Sequence, residues 1–311
     1  MSAPAVTDPP LTAGDSVAPD RVVAAERPAA WKLYVALAKP RIATMTVVSA
    51  LAGYALGGGV FLSTATAALA AGVWLVAAAC GALNQWAEKD TDARMKRTAT
   101  RPLPSGRLEP TFVFPFGLAA AVAGTAAMIG HGQLTAGVLS LATLVLYVAA
   151  YTPLKRRSVW CTAVGAVPGA MPPVIGYAAA TGRLDATAGW LFAVFFLWQF
   201  PHFLAIGSLY ARQYAGAGLK MLPDEAKRWG ATGTIAVATA VLLIPSAAAL
   251  VGHGGLGWIY GVLVAAAGVW YLAASVAFAA DRNERSARKL LRVSLLYLPL
   301  WVLVSVVDHA F

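Results

Sequence analysis

The sequence predicts an all-α fold: a polytopic membrane bundle of about nine transmembrane helices. Three observations predict it. Of 311 residues only 24 are Lys or Arg and 14 Asp or Glu, whereas 59% are hydrophobic. Long apolar stretches follow one another, each near the ~20 residues that a bilayer span needs. The basic residues gather in alternate loops, as the positive-inside rule requires. Soluble domains carry about a quarter charged residues. The composition therefore excludes a water-soluble enzyme, a disordered chain and, despite the net charge of +10, a nucleic-acid binder.

In chain order, residues 1–30 are rich in Pro and Ala, lack an apolar core and read as a disordered N-terminal tail. Asp8, Asp15, Asp20 and Glu26 argue against a mitochondrial transit peptide, and no short apolar run precedes a signal cleavage site. From 31 to 311 the chain reads as a single transmembrane domain. Spans are predicted over 42–62, 66–86, 111–130, 134–151, 161–180, 187–209, 229–251, 256–279 and 291–309. With these spans, 23 of the 24 basic residues fall on one side of the membrane, and Arg183 alone lies opposite. That side is the cytoplasm, which places the N-terminus inside and the C-terminus on the opposite face. A bacterial inner membrane is the expected location. The cytoplasmic loops at 87–110 and 210–228 are long and polar, so chemistry is expected there.

Within the spans, Gly53/Gly57 and Gly165/Gly169 are small-xxx-small pairs that let backbones approach. Pro168, Pro172 and Pro173 predict a kinked or broken fifth span. Cys80 and Cys161 are isolated and read as packing residues.

The strongest chemical signal runs from Asn84 through Glu88, Asp90 and Asp92 to Lys96, Arg97 and Arg101. If the second span continues by two turns, Asn84, Glu88 and Asp92 stand at i, i+4 and i+8. They then fall within about 80° of one face over roughly 12 Å. Three oxygen-bearing groups on one stripe suit Mg²⁺, an ion often shared with substrate phosphates. Asp90 falls on another side unless the helix frays. Lys96, Arg97 and Arg101 offer donors to phosphate oxygens, and acids beside bases are what a diphosphate ester needs. The bland alternative is a solvated loop whose basic residues only set topology. Lys155, with Arg156 and Arg157 after the fourth span, reads equally as phosphate ligand or lipid anchor. In the sixth span Trp198, Gln199 and His202 sit near the cytoplasmic end, with Gln199 and His202 sharing a face. His131, His253 and His309 lie toward the other side and have no assigned role.

The run from Asn84 to Gly106 resembles the first aspartate-rich motif of the intramembrane aromatic prenyltransferases, the UbiA superfamily. The runs at 151–156, 165–173, 198–204, 217–223 and 297–299 are more selective, and are similar to its protohaem IX farnesyltransferase (haem O synthase) family. The resemblance covers Lys39 to Asp308. It implies a nine-span bundle around a cavity open to the cytoplasmic face, and transfer of a farnesyl group from farnesyl diphosphate to a vinyl group of haem B. It further implies Mg²⁺ held by Asn84, Glu88 and Asp92, with diphosphate charge taken by Arg97, Arg101 and Lys155. Phe195, Phe196, Trp198 and Tyr147 would face the prenyl cation, and His202 the haem. A haem A synthase or an oxidase assembly protein is the implied protein partner.

One departure stands out. Family members usually carry an acid where this chain has Gln213, directly before Tyr214. Either a second metal site is weaker, or Asp224 and Glu225 supply the charge, or the enzyme is impaired. Two rival functions predict different patterns. A sister prenyltransferase acting on a phenolic, quinone-precursor or chlorophyllide acceptor would share the acidic stripe, but not the 198–204 run. A transporter would place ionisable groups at the bilayer midplane, whereas here they lie at its cytoplasmic boundary.

Overall fold

The computed structural model describes residues 29–222 and 229–310. Of the tail expected over 1–30, residues 1–28 lie outside the described residues, as do Asp224 and Glu225, and Ala30 already opens a helix. Among the described residues every regular element is helical.

Helix α1 (Ala30–Ala38) joins α2 (Pro40–Leu56) at Lys39 with a bend of 44°. Pro40 lacks the N–H that a first helical turn leaves unused, and so opens α2. At the other end Gly57, and Gly58 at φ 76°, stop the helix at Leu56. The predicted span over 42–62 therefore starts earlier and ends six residues sooner, because three consecutive glycines outweigh the hydrophobicity of the segment beyond them.

Ser63 caps α3 (Thr64–Ala87), its Oγ accepting the Thr66 N–H at 3.2 Å. After Glu88 a single turn, α4 (Lys89–Ala93), extends its direction. The chain then crosses a loop to α5 (Pro110–Gly130) and α6 (Leu134–Val145), which runs into a π-helical turn, Leu146–Tyr151, and α7 (Thr152–Leu154). Next come α8 (Cys161–Thr181) and α9 (Ala186–Gly216), the latter capped by Asp185, whose Oδ1 accepts from Thr187 N–H at 3.0 Å. The remaining helices are α10 (Trp229–Ala248), α11 (Leu250–His253), α12 (Trp258–Asp281) and α13 (Glu284–Ala310).

Among the described residues eight helical segments are long and apolar enough to cross a bilayer, and nine when the bent α1–α2 pair counts as one span. Large apolar side chains such as Leu118, Val122, Leu263, Val269 and Leu296 are exposed on them. Lipid-facing helix surfaces are expected to look like this.

Among the described residues the bundle has two large apolar clusters and two small ones. One large cluster draws on α2, α3, α5, α6 and α8, with Tyr54, Leu69, Met128 and Ile175. The other draws on α8 to α13 and on Leu56 of α2, with Phe195, Tyr260, Tyr271, Tyr297 and Trp301. Helix α8 packs on both α2 and α9 and so belongs to both clusters.

The α2–α8 contact depends on glycine. A methyl at Gly53 would overlap the Pro173 carbonyl oxygen, and one at Gly176 would overlap that of Ala50. The Gly165/Gly169 pair acts differently: Gly165 makes room for the Tyr151 ring and Gly169 for the Gln199 side chain. Helix α8 also runs as one continuous helix through Pro168, Pro172 and Pro173, and is not broken as its prolines allow. Close packing on α2 and α9 supports it there, and neighbouring helices can tolerate proline inside a span in this way.

Candidate active site

The stripe on α3 and α4 forms as its spacing predicts. Glu88 bends the backbone (φ −104°, ψ 10°), yet its N–H donates to Asn84 O at 2.9 Å and Asp92 N–H donates to Glu88 O at 2.8 Å. Helical register therefore survives, and Asn84, Glu88 and Asp92 are all buried.

Buried carboxylates need partners. Lys155 Nζ lies 2.9 Å from Glu88 Oε1, and Arg101 donates to Asp92 Oδ2 at 2.6 Å. Asn84 Nδ2 donates to Glu88 Oε2 at 2.8 Å and to Thr152 Oγ1 at 3.2 Å, while its Oδ1 faces Lys39 Nζ at 3.5 Å. Burial works against the charge on Lys155, but the Glu88 carboxylate outweighs it and holds the ammonium above its ordinary pKa. The contribution of the Lys155 charge is present below the ordinary lysine value and is lost as pH rises through the raised one.

Thr152 and Lys155 reach the stripe because the π-helical turn widens the end of the fourth span, with Thr152 Oγ1 donating to Tyr147 O at 2.9 Å. Such turns are frequent at functional sites. Lys155 Nζ also sits 4.4 Å from the centre of the Tyr151 ring. Its carbonyl accepts the Lys220 N–H at 2.7 Å, which fastens the loop after α9 to the site.

Arg97 approaches from the loop. Its guanidinium lies 5.2 Å from the Tyr210 ring centre and donates to Tyr214 Oη at 3.3 Å. Its backbone N–H donates to Gln213 Oε1 at 3.3 Å, so the amide standing in the expected acid's place bridges two cytoplasmic segments.

Below the stripe is a cavity of about 390 Å³, lined by Tyr147, Tyr151, Phe195, Trp198 and Gln199 among mostly apolar neighbours. Gln199 donates to the carbonyls of Ala166 (3.1 Å) and Phe195 (3.0 Å), which fixes it across the α8–α9 seam. Phe196 stacks on Phe192, with ring centres 5.4 Å apart, and does not line the cavity.

His202 is also absent from the lining. Its ring stacks on Trp198 at 5.0 Å and its Nδ1 meets Ser294 Oγ at 2.8 Å, while Trp198 Nε1 donates to Ser294 O at 2.9 Å. Asp90 and Lys96 are exposed, and the structure does not bring them to the stripe. Lys39, Thr152, Tyr151 and Tyr214 join the site without having been singled out. The Lys39–Asn84 and Asn84–Thr152 contacts span 45 and 68 residues, distances over which helical spacing carries no information.

Among the described residues no three His, Cys, Asp or Glu side chains cluster as a metal site. The donors available are two carboxylates and an amide, all hard oxygen ligands. Such an incomplete set fits an ion whose remaining positions go to water and phosphate.

A membrane bundle with a stripe of acids and cations above an apolar, aromatic-walled cavity is the architecture of an intramembrane prenyltransferase. The chain belongs to the UbiA prenyltransferase family, whose pattern matches residues 46–298. It is 42% identical over 284 residues to the protoheme IX farnesyltransferase of Solibacter usitatus, covering 86% of this chain and 95% of that one. Its fold is similar to a UbiA homologue from Aeropyrum pernix K1, with TM-score 0.68 and 18% identity over 85% of this chain and 98% of that one. It is also similar to a UbiA homologue from Archaeoglobus fulgidus bound to GPP and Mg²⁺, with TM-score 0.61 and 13% identity over 88% and 99%.

Proposed function

We infer that the chain transfers the farnesyl group of farnesyl diphosphate to a vinyl group of haem B, giving haem O and diphosphate. The observation that carries this reading is the identity with curated protoheme IX farnesyltransferases over most of both chains. The paired charges at the mouth of an aromatic cavity support it.

We assign Asn84, Glu88 and Asp92 to Mg²⁺, and Arg97, Arg101 and Lys155 to the diphosphate. Mg²⁺, when bound, would supply Lewis-acid stabilisation of the departing diphosphate. The protein's own cations do the rest: Lys155 and Arg101, which neutralise the acids in the structure, are placed to turn to phosphate oxygens as negative charge develops there.

Tyr147, Tyr151, Phe195 and Trp198 present π faces and edges to the allylic cation. The apolar wall keeps water away until the vinyl carbon has bonded to the farnesyl C1. Water then captures the resulting cation on the porphyrin side, and its extra proton passes to the released diphosphate. The chain is multi-pass. We assign it to a bacterial inner membrane with the N-terminus and the acidic stripe on the cytoplasmic side, as the basic loops direct.

The test is conversion of haem B and farnesyl diphosphate by the purified chain, with and without Mg²⁺. Haem O is expected only with the metal; no haem O, together with prenylation of a phenolic acceptor supplied in a parallel reaction, overturns the assignment. A second expectation concerns Gln213. Gln213→Glu keeps the shape and the acceptor for the Arg97 N–H while adding a charge. It should lower the Mg²⁺ concentration giving half-maximal rate, and an unchanged Mg²⁺ titration removes Gln213 from the metal environment.

A further inference from the structure

The reaction as assigned uses every charged group on the stripe, but not Lys39. Among the described residues that line the cavity, Lys39 is the one with a charged side chain. The ion pairs among the described residues are Arg101–Asp92, Lys155–Glu88 and Arg288–Glu284, and Lys39 belongs to none of them. Its ammonium has one hydrogen-bond partner among the described residues, the neutral Asn84 Oδ1 at the long distance of 3.5 Å, while the charges of Glu88, Asp92, Arg101 and Lys155 act on it from further off. An ammonium at an apolar wall with only that partner favours an anionic ligand.

The backbone is shaped to hold this side chain inward. Lys39 adopts φ 48° and ψ 61°, one of two described non-glycine residues at positive φ, at the bend where α1 meets α2. Non-glycine residues in that region cluster at functional sites, where surrounding structure sustains the strain. Across from it, α3 carries Gly81: a methyl there would press on the Leu37 carbonyl oxygen at 2.7 Å, so the missing side chain lets the α1–α2 bend that carries Lys39 lie against α3.

The diphosphate is served by Arg97, Arg101 and Lys155. Haem B is a largely apolar ring with two carboxylates, and these have no other cation on the cavity wall. We propose that Lys39 binds a carboxylate of the acceptor, and so sets which edge of the ring turns toward the prenyl donor. This rests on the haem reading above.

The experiment compares the full-length protein with Lys39→Met and Lys39→Arg. Methionine keeps the length and the backbone demand of lysine without the charge. Each is assayed with haem B and with its dimethyl ester, in which both carboxylates are blocked. Loss of one charge-assisted hydrogen bond predicts a KM for haem B raised about tenfold in Lys39→Met, and about the same rise for the ester with wild type. The variant should treat ester and haem B alike, Lys39→Arg should restore most of the loss, and KM for farnesyl diphosphate should stay constant.

A rise in KM for farnesyl diphosphate with haem B unchanged would assign Lys39 to the donor and overturn the proposal. Undiminished discrimination against the ester by Lys39→Met would overturn it too. Should that variant not fold, wild type that accepts the ester as readily as haem B is sufficient refutation. Absence of any haem O from wild type is a distinct result, which overturns the acceptor assignment together with this one.

Discussion

Replacing Asp92 with asparagine is expected to lower turnover by about 10²–10³-fold while the protein remains inserted and folded. The carboxylate is buried and paired to Arg101 at 2.6 Å, and in the proposed mechanism it passes that cation to the diphosphate. An asparagine fills the same space and can still accept from Arg101, but it lacks the charge that a hard cation requires. Arg101 is left less compensated, yet its side chain is 24% exposed, so water relieves most of that cost. Rate of haem O formation and melting temperature in detergent, measured on the same preparation, separate chemistry from folding. Near-normal rates would remove Asp92 from the metal and diphosphate chemistry.

The largest effect on stability is expected from Gly176→Ala. The added methyl would overlap the backbone carbonyl of Ala50, which no rotamer change can move aside. Overpacked sites typically cost about 1–3 kcal/mol, and a backbone-on-backbone clash belongs at the upper end. Separating α2 from α8 would also part Ile42 and Met45 from Pro168 and Pro172, which line the same cavity. Activity should therefore fall with melting temperature. Gly189→Ala is the control. Nothing approaches its missing side chain, so a change within about 0.5 kcal/mol is expected. Equal behaviour of the two variants would show that α2 and α8 have room to spare.

Span number and the acidic stripe were legible because both are local properties. Hydrophobic runs of fixed length and an i, i+4 spacing do not depend on what packs nearby. The metal and phosphate roles given to the stripe remain proposals, whereas its shared face is geometry. Two features escaped the local rules. The end of α2 was misjudged because Val60, Phe61 and Leu62 look like more span, while the backbone had already turned at Gly57–Gly59. The unbroken α8 escaped because its prolines are judged by what they remove from one helix, and not by the α2 and α9 surfaces that close around them. Lys39 and Thr152 became site residues only through contacts between distant spans. His202, singled out by composition, is occupied by Trp198 and Ser294 beside the cavity.

The ion pairs of the stripe have a consequence for how the chain is made. Glu88, Asp92, Arg101 and Lys155 all precede α8, so the acids and their counterions are synthesised within a stretch of 68 residues. Domains made first tend to fold first as the chain emerges. The first apolar cluster can therefore assemble with its charges already balanced, before α9 to α13 have left the ribosome. At no stage of insertion need a bare carboxylate wait at the lipid boundary for a partner encoded in the second half.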